Sequence, residues 1–316
     1  MRPFEFLLYV AVIVGWSTSW YPLSLQLGVV APEVSLVWRF SISGLMMLGI
    51  CALRGIDLRF GRAEHAGFLI LGMVMFSTNF VLFYNASLYA ASGLLAVMLS
   101  MSSLINVGLV AAFNRRAPLM QVGAALTGLA GLALVFLPEL QVSSRVLTSM
   151  AFGFAGTISF CIGNMMSSAS QRRGIHVLAS TSWGMLYGAG FMVLVALVRG
   201  HDFIIDPTVT YLGSLAWLII VSSVMAFACY LSLIGRIGPG RAAYATVLFP
   251  PIALGISTLV EGYQWTWSGL VGLPLVLIGI VLINQTRRPL TTTTAVQPAA
   301  LPKTASGPDP QQSEAP

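Results

Sequence analysis

Residues 35–48 read SLVWRFSISGLMML, and Arg39 is the single charged residue in this apolar run. The run continues over about 34–53, which is long enough for one membrane-spanning helix. A lone cation in hydrocarbon costs about 3 kcal/mol even on insertion scales, so Arg39 requires a nearby interface, a water-filled cavity or a partner.

The composition of the whole chain agrees with a membrane location. Of its 316 residues, 57% are hydrophobic and only 8% are charged, with a mean hydropathy of +0.85, whereas soluble domains carry about 25% charged residues. The chain is therefore predicted to be an all-α polytopic membrane protein whose partner is the lipid bilayer and not nucleic acid. Its three cysteines lie in separate apolar segments without metal-ligand spacing, so neither a metal nor a cofactor is expected.

Apolar runs of about 20 residues, the length that crosses about 30 Å of hydrocarbon, recur along the chain. The first run lacks a small-residue cleavage site and is expected to remain as a helix. Ten transmembrane helices are predicted. They are approximately 4–27, 34–53, 66–89, 94–113, 119–137, 148–169, 177–198, 211–233, 241–260 and 267–285.

The basic residues orient these spans. With a cytoplasmic N-terminus, every Lys and Arg except Arg39, Arg145 and Arg199 falls in a cytoplasmic segment. The positive-inside rule then predicts a multi-pass protein of a bacterial-type cytoplasmic (inner) membrane with both termini in the cytoplasm. Arg39 lies about five residues, or roughly 8 Å, below the outer surface. It either reaches the outer headgroups or helix-end carbonyls, or lines a vestibule that opens outward.

The chain resembles itself at an offset of about 145 residues. Ala-Leu-Arg-Gly at 52–55 corresponds to Leu-Val-Arg-Gly at 197–200, Tyr84 corresponds to Tyr230, and a glycine of the fifth span corresponds to one of the tenth. Each repeat contains five spans, an odd number, so the two halves must have opposite orientations in the membrane.

We therefore predict two inverted five-helix repeats, at 4–138 and 148–285. Transporters commonly use such pairs for alternating access, although duplication can also build a static bundle. The segment 286–316 is rich in Thr, Pro and Gln and poor in large apolar residues, which predicts a disordered cytoplasmic tail.

The residues resemble the ten-helix branch of the drug/metabolite transporter superfamily over about 4–285. The resemblance rests on Gly-Trp-Ser at 15–17, Trp-Arg-Phe at 38–40, FVLFYNASLYAASGLLAVMLSMSSL at 80–104 and PPIALGISTLVEG at 250–262. Within that branch the chain is similar to bacterial amino-acid exporters, including those for aromatic amino acids, and this similarity implies amino-acid efflux.

The chain departs from the family pattern at two places in the first half. Ser102 and Ser103 stand where the fourth helix usually has a proline, and Arg115 stands where both halves often carry Glu. Family roles at these positions are therefore not transferred to this chain.

Polar and aromatic side chains near mid-depth are the candidate site, because they are costly there unless they face protein or water. Trp16 and Trp20 share a face of the first helix, and Phe160 and Asn164 share a face of its counterpart, the sixth. Single Ser and Thr residues can instead bond back to their own helix. The predicted substrate-binding residues are Trp16, Trp20, Thr78, Asn79, Tyr84, Ser100, Ser103, Phe160, Asn164, Ser223, Tyr230, Thr246 and Pro250.

Titratable groups are sparse within the spans. The three histidines fall in loops, and the two carboxylates that touch a span, Glu5 and Glu261, lie at its end. Two successive prolines at 250–251 leave carbonyls of the preceding turn, including that of Thr246, without helical donors. Rings, amides, hydroxyls and free carbonyls without a fixed charge suit a neutral or zwitterionic small-molecule substrate such as an amino acid. Facilitated efflux with broad specificity is the expected activity.

Other functions stay open at this point. The chain could export another small metabolite or drug, such as a nucleobase, or act as a membrane sensor without transport. An intramembrane enzyme would need a nucleophile with a base, or paired acids, inside the bilayer, and no such pair is found, so no catalytic residue is predicted. The sequence is compatible with a monomer and leaves the oligomeric state open.

Overall fold

The computed structural model describes residues 3–102, 104–105, 119–142, 145–237 and 245–286. Helices dominate these ranges, and we number them α1 to α10 so that each corresponds to one predicted span. α1 comprises Pro3–Ser17 and Trp20–Ser24, α2 is Pro32–Leu53, α3 comprises Arg62–Met73, Val74–Thr78 and Asn79–Ala86, α4 is Ser92–Ser100, α5 is Leu119–Val142, α6 is Arg145–Arg172, α7 is Val177–Val198, α8 comprises Val209–Trp217, Leu218–Met225 and Ala226–Ile237, α9 is Ala245–Val260 and α10 is Trp267–Thr286.

The predicted all-α membrane class is confirmed. Six helices, namely α1, α2, α3, α6, α7 and α8, are long and apolar enough to cross a membrane, and α5, α9 and α10 contain shorter apolar stretches. α4 coincides with the start of the predicted span 94–113, and the rest of that span lies outside the described residues. The predicted tail beyond residue 286 also lies outside them.

A proline explains why α1 is interrupted. Pro22 has no N–H, so the carbonyl of Thr18, four residues earlier, loses the donor that a regular helix would supply. The helix breaks at this point, between Ser17 and Trp20. The Thr18 hydroxyl donates to the Val14 carbonyl at 2.7 Å. The interruption near the outer end of this helix therefore has a local cause.

Two helices contain a π-helical segment, Val74–Thr78 in α3 and Leu218–Met225 in α8. Their starting positions differ by nearly the repeat offset. A π segment widens the helix and redirects the side chains around it, often at functional sites. Asn79 follows the first segment, Ser222 and Ser223 lie in the second, and all three side chains are buried.

Corresponding helices of the two halves pack against each other. α2 packs on α7, α4 on α9 and α5 on α10, and the crossed pairs α1–α8 and α3–α6 are also in contact. Gly131 of α5 lies against Gly272 of α10, whereas Gly128 lies against Gly279, so the residue numbers rise along α5 as they fall along α10. α5 and α10 therefore run in opposite directions.

The ends of α2 and α7 share one turn geometry. Gly55 and Gly200 have φ of 66° and 69°, a left-handed conformation that glycine adopts without strain. Each glycine donates its N–H at 3.1 Å to the residue three positions earlier, Ala52 and Leu197. These features agree with inverted repeats at 4–138 and 148–285, whose boundaries and symmetry stay a prediction.

Glycines also allow α3 and α7 to approach closely. A Cβ on Gly72 would lie 2.5 Å from the Gly184 carbonyl oxygen and 2.6 Å from the Gly188 nitrogen. The GxxxG pattern of α7 is therefore a helix-packing face, as small residues at this spacing predict.

Candidate functional site

Aromatic rings from four helices meet inside the bundle. The Phe76 centroid lies 5.4 Å from that of Phe40 and 6.3 Å from that of Phe227. The Trp16 centroid lies 5.9 Å from Phe227 and 4.9 Å from Tyr230. Contacts of this kind contribute about 0.5–1.5 kcal/mol each beyond burial. We call the connected rings the aromatic array; it comprises Trp16, Phe40, Phe76, Phe80, Phe227 and Tyr230.

Arg39 projects into this array from α2. Its side chain is only 3% exposed. Nε donates to the Ser223 hydroxyl at 3.2 Å, and Nη2 donates to the Ser222 hydroxyl at 3.3 Å. The Cζ atom lies 5.0 Å from the Phe40 centroid and 4.6 Å from the Phe80 centroid, within cation–π range. The guanidinium is thus held by two hydroxyls and two ring faces.

This placement corrects two expectations from the sequence. Arg39 does not reach the outer headgroups, and the site does carry a fixed charge. The Nη1 atom of Arg39 and the hydroxyl of Tyr84, which interacts electrostatically with the guanidinium, are both buried without a well-aligned hydrogen-bond partner. Unmet donors of this kind are costly in a protein interior.

Several predicted site residues lie at or beside the array. Trp16 and Tyr230 belong to it, and Ser223 bonds Arg39 as described. Tyr84 is fully buried, and both Tyr84 and Phe160 belong to the hydrophobic cluster that contains Phe40 and Phe76. Residues from both halves of the chain are therefore combined here, because the crossed pairing of α1 with α8 and of α3 with α6 brings them to the centre.

Trp20 belongs to a neighbouring aromatic group. Its centroid lies 5.3 Å from that of Phe83, and both pack with Phe249 of α9 and with Leu95 and Ala96 of α4. Pro250, the next residue along α9, is buried. Trp16 and Trp20 share a helix face in the sequence pattern, but the break in α1 lies between them.

Other predicted residues have local partners or lie elsewhere. The Ser100 hydroxyl bonds back to the Val97 carbonyl at 2.6 Å. Asn79 donates to the Met75 carbonyl at 3.2 Å, while its buried Oδ1 has no hydrogen-bond partner. Thr78 is exposed.

Asn164 is half-buried on α6. Thr246 lies in α9, but its side chain falls outside the described part of the structure, as does Ser103. These three stay predictions.

Sequence reasoning missed four members of the array, namely Phe40, Phe76, Phe80 and Phe227. Phe80 and Phe76 stand four and eight residues before the predicted Tyr84, so the three share one face of α3 in the sequence pattern. This pattern was available in the sequence. Ser222 and the inward direction of Arg39 depend on how α2 and α8 are rotated, which an almost uniformly apolar helix does not reveal.

A polar network lies at the end of the bundle where α2, α4, α6, α8 and α10 begin, which we call the outer end after its predicted orientation. One Glu261 carboxylate oxygen accepts from the Ser92 N–H at 3.0 Å and the Ser92 hydroxyl at 2.8 Å. The Ser257 hydroxyl also bonds this carboxylate, and Ser257 accepts from the Gly93 N–H at 2.8 Å. α9 thereby caps the first turn of α4.

Further bonds close the outer end between the two halves. Gln26 donates to the Tyr211 carbonyl at 3.0 Å. Glu33 pairs with Arg199 and lies 3.6 Å from the His201 ring nitrogen. These contacts join α1 and α2 to α8 and to the end of α7.

Two grooves on the described surface lie away from the array. One, of about 360 Å³, is lined by apolar residues of α4, α5 and α6. The other, of about 430 Å³, lies between the loops that follow α2 and α6 and includes Asp57, Arg59, Arg173 and His176. Neither contains a residue of the aromatic array, whose rings are packed against one another in this conformation.

A helical bundle with polar and aromatic side chains collected in its interior is an architecture found among membrane solute transporters. Residues 147–285 match the sequence model of the EamA-like transporter family. The resemblance to the drug/metabolite transporter superfamily is thereby confirmed for residues 147–285, which match an EamA-like transporter domain.

Whole-chain comparisons extend this similarity beyond the matched domain. Protein PagO of Salmonella typhimurium (strain LT2) is 24% identical, over 87% of this chain and 91% of that protein. A crystal structure of another protein superposes with a TM-score of 0.63 and 16% identity, covering 92% of this chain and 100% of that one. The second comparison shows a shared fold.

Proposed function

We propose that the protein exports small zwitterionic solutes, chiefly amino acids with aromatic or large apolar side chains, across the cytoplasmic membrane. The observation that carries this proposal is the aromatic array with the Arg39 guanidinium at its edge. The rings offer apolar and π surface to a side chain, and buried polar groups from α2, α3 and α8 lie beside them.

The array favours broad rather than narrow specificity. A pocket of rings gains about 1–3 kcal/mol from one additional methylene, so related side chains differ little in affinity. The carbonyls of the turn before 250–251 lack helical donors because both following residues are prolines, and they are candidate acceptors for the substrate ammonium. Amino acids of different shape then share one set of polar contacts.

Alternating access is the proposed mechanism. The outer end is closed by contacts between the halves, namely Gln26 to Tyr211 and Glu33 to Arg199. The rings of the array touch, so a solute reaches them only when these helices separate. Two halves with antiparallel pairing can exchange conformations and open the same centre to either side.

The proposed direction and energy source rest on the sequence. The positive-inside rule predicts that both termini lie in the cytoplasm. The sequence has no carboxylate or histidine at mid-depth of a span, which favours facilitated efflux of accumulated solute over coupling through a protonated carboxylate. Epitope tags fused to the two termini test this topology through their accessibility to antibody in intact cells. A tag that is accessible from outside at either end contradicts it.

Counterflow in proteoliposomes tests the activity. Purified protein is reconstituted, loaded with unlabelled phenylalanine, leucine, serine or uracil, and supplied outside with trace labelled phenylalanine. We expect exchange to be fastest with phenylalanine and leucine inside, with and without a proton gradient. A parallel assay supplies trace labelled uracil outside uracil-loaded vesicles. Exchange of labelled uracil but of no amino acid would favour a nucleobase exporter, and no exchange of either label would favour a sensor.

A further inference from the structure

The environment of Arg39 contains hydrogen-bond acceptors but no counter-charge. Two serine hydroxyls accept from Nε and Nη2, and Phe40 and Phe80 offer their ring faces. No carboxylate lies within ion-pair distance of Arg39 among the side chains that the structure describes. The guanidinium is therefore buried and positively charged without neutralisation.

Two acidic residues at this end of the bundle, Glu33 and Glu261, are already engaged. Glu33 pairs with Arg199, and Glu261 accepts from Ser92 and Ser257. Neither carboxylate forms an ion pair or a hydrogen bond with Arg39 in the described part of the structure. A negatively charged partner for the guanidinium therefore has to come from outside the described side chains.

Two unmet donors point to the chemistry of that partner. Arg39 Nη1 and the Tyr84 hydroxyl are both buried, both lack a well-aligned partner and belong to residues that interact with each other. A guanidinium with an adjacent hydroxyl donor suits a planar carboxylate, which accepts through two oxygens. The aromatic array begins at Phe40 and Phe80, directly beside this position.

We propose that Arg39 and Tyr84 form a carboxylate-binding subsite, in which the acid group of the transported solute completes the hydrogen bonding and the charge of Arg39 while the rest of the solute contacts the array. This inference rests on the proposed function and deepens it, because it makes the carboxylate an obligatory part of the substrate. Amines and amides with the same side chain are then poor substrates.

Competition in the counterflow assay tests the subsite. Phenylalanine, phenylalaninamide and phenethylamine compete with trace labelled leucine. Loss of a hydrogen bond to a charged group lowers affinity by about 10- to 100-fold, so the wild-type protein should require that much more amide or amine for half-inhibition. The quantity compared is the half-inhibitory concentration of the amide or amine divided by that of phenylalanine. In Arg39→Gln this ratio should approach unity, because the carboxylate of phenylalanine no longer has a charged partner.

Matched variants separate the subsite from general damage. Tyr84→Phe keeps the ring and removes one donor, so the ratio should fall only partly. Arg54→Gln removes an exposed arginine at the other end of α2 and should keep the wild-type ratio. If Arg39→Gln does not fold, Tyr84→Phe and Arg39→Lys carry the test.

The outcomes distinguish this inference from the proposed function. Amino-acid exchange with equal inhibition by acid and amide would overturn the subsite and leave the proposed function standing. A wild-type ratio retained in Arg39→Gln would also overturn it. Exchange that requires chloride and ignores the carboxylate would show an inorganic anion in its place, which again overturns it.

Absence of amino-acid exchange would contradict the proposed function, and a binding measurement then tests the subsite directly. Phenylalanine or indole-3-carboxylate, but not the corresponding amide, should raise the melting temperature of the wild-type protein in detergent. Equal stabilisation by acid and amide would overturn the subsite in this assay as well.

Discussion

Replacing Glu261 by Gln should loosen the first turn of α4 and leave the rest of the bundle folded. The N-cap residue of α4 is Ala91, which has no side-chain acceptor. Ser257 in the last turn of α9 and Glu261, directly after this helix, supply the acceptors instead. Glutamine has nearly the same size, but it removes the charge and turns one acceptor oxygen into a donor facing other donors.

The size of the effect follows from the bonds that are lost. Ser92 directs both its N–H and its hydroxyl at one carboxylate oxygen. Hydrogen bonds to a charged group contribute about 1.5–3 kcal/mol, and a helix N-cap contributes about 1 kcal/mol. For this partly buried site we expect a loss of about 2 kcal/mol, which corresponds to a roughly 30-fold change in the opening equilibrium.

Amide hydrogen exchange measures this opening directly. Peptides that cover 88–100 report the amides of Ser92 and Gly93, which have their acceptors on α9. In Glu261→Gln these amides should exchange about 30-fold faster, with little change in α2 or α7. Glu33→Gln is the matched control, since it makes the same substitution at the same end but its partners lie outside α4.

Two results would refute this reasoning. Unchanged exchange at the start of α4 in Glu261→Gln would show that the carboxylate does not hold the turn. Equal acceleration in Glu33→Gln would show that the outer end responds as a whole, so that the cap is not a separate unit.

For three other substitutions, the packing determines whether stability or transport rises or falls. Gly131→Ala should destabilise by about 1–3 kcal/mol, since a Cβ would lie 2.6 Å from the Gly272 carbonyl oxygen, whereas Gly123→Ala meets nothing within 4 Å and should raise the melting temperature. Arg199→Gln should lower the melting temperature more than Glu33→Gln, because it leaves a carboxylate of 2% exposure without its main partner, while the arginine is 57% exposed. Trp16→Ala should slow counterflow about tenfold through the loss of ring contacts, while the detergent-extracted protein stays folded; unaltered flux would remove Trp16 from the site.

The course of the chain through the membrane could be predicted because the bilayer fixes it. Every backbone polar group in hydrocarbon has to be paired within a helix. An apolar run of sufficient length therefore forms a membrane-spanning helix. The seventh span was predicted at 177–198, and α7 is Val177–Val198. The third was predicted from residue 66, but α3 begins at Arg62, because polar residues outside the hydrocarbon extend a helix without extending its apolar run.

The directions of side chains could not be predicted equally well. Successive residues on a helix point about 100° apart, and a helix that is apolar on every face gives no sign of which direction is inward. Ser77 is fully buried whereas the predicted Thr78 is exposed. Both residues lie in the π segment Val74–Thr78, which changes the rotation of everything after it relative to a regular helix.

Arg39 and Glu261 show opposite ways of placing a charge inside the outer half of the bundle, and this contrast yields a last prediction. Glu261 accepts several hydrogen bonds and stabilises the fold. Arg39 lacks a counter-charge, which costs about 3 kcal/mol on insertion scales, and its hydroxyl and ring contacts offset only part of this. Arg39→Met keeps the apolar stem. We expect it to raise the free energy of unfolding of the ligand-free protein by roughly 1 kcal/mol, and with it the melting temperature, while abolishing selection for the carboxylate.

The exposed Arg54 provides the control for that prediction, because Arg54→Met should change neither property. A fold stabilised by Arg39 would behave in the opposite way, with Arg39→Met melting earlier than the wild type. Stability and selectivity falling together would mean that Arg39 is a structural residue satisfied by Ser222, Ser223 and the rings. If Arg39→Met gains stability and loses carboxylate selectivity, the charge of Arg39 serves ligand binding. Its burial destabilises the ligand-free protein, and ligand binding offsets that cost.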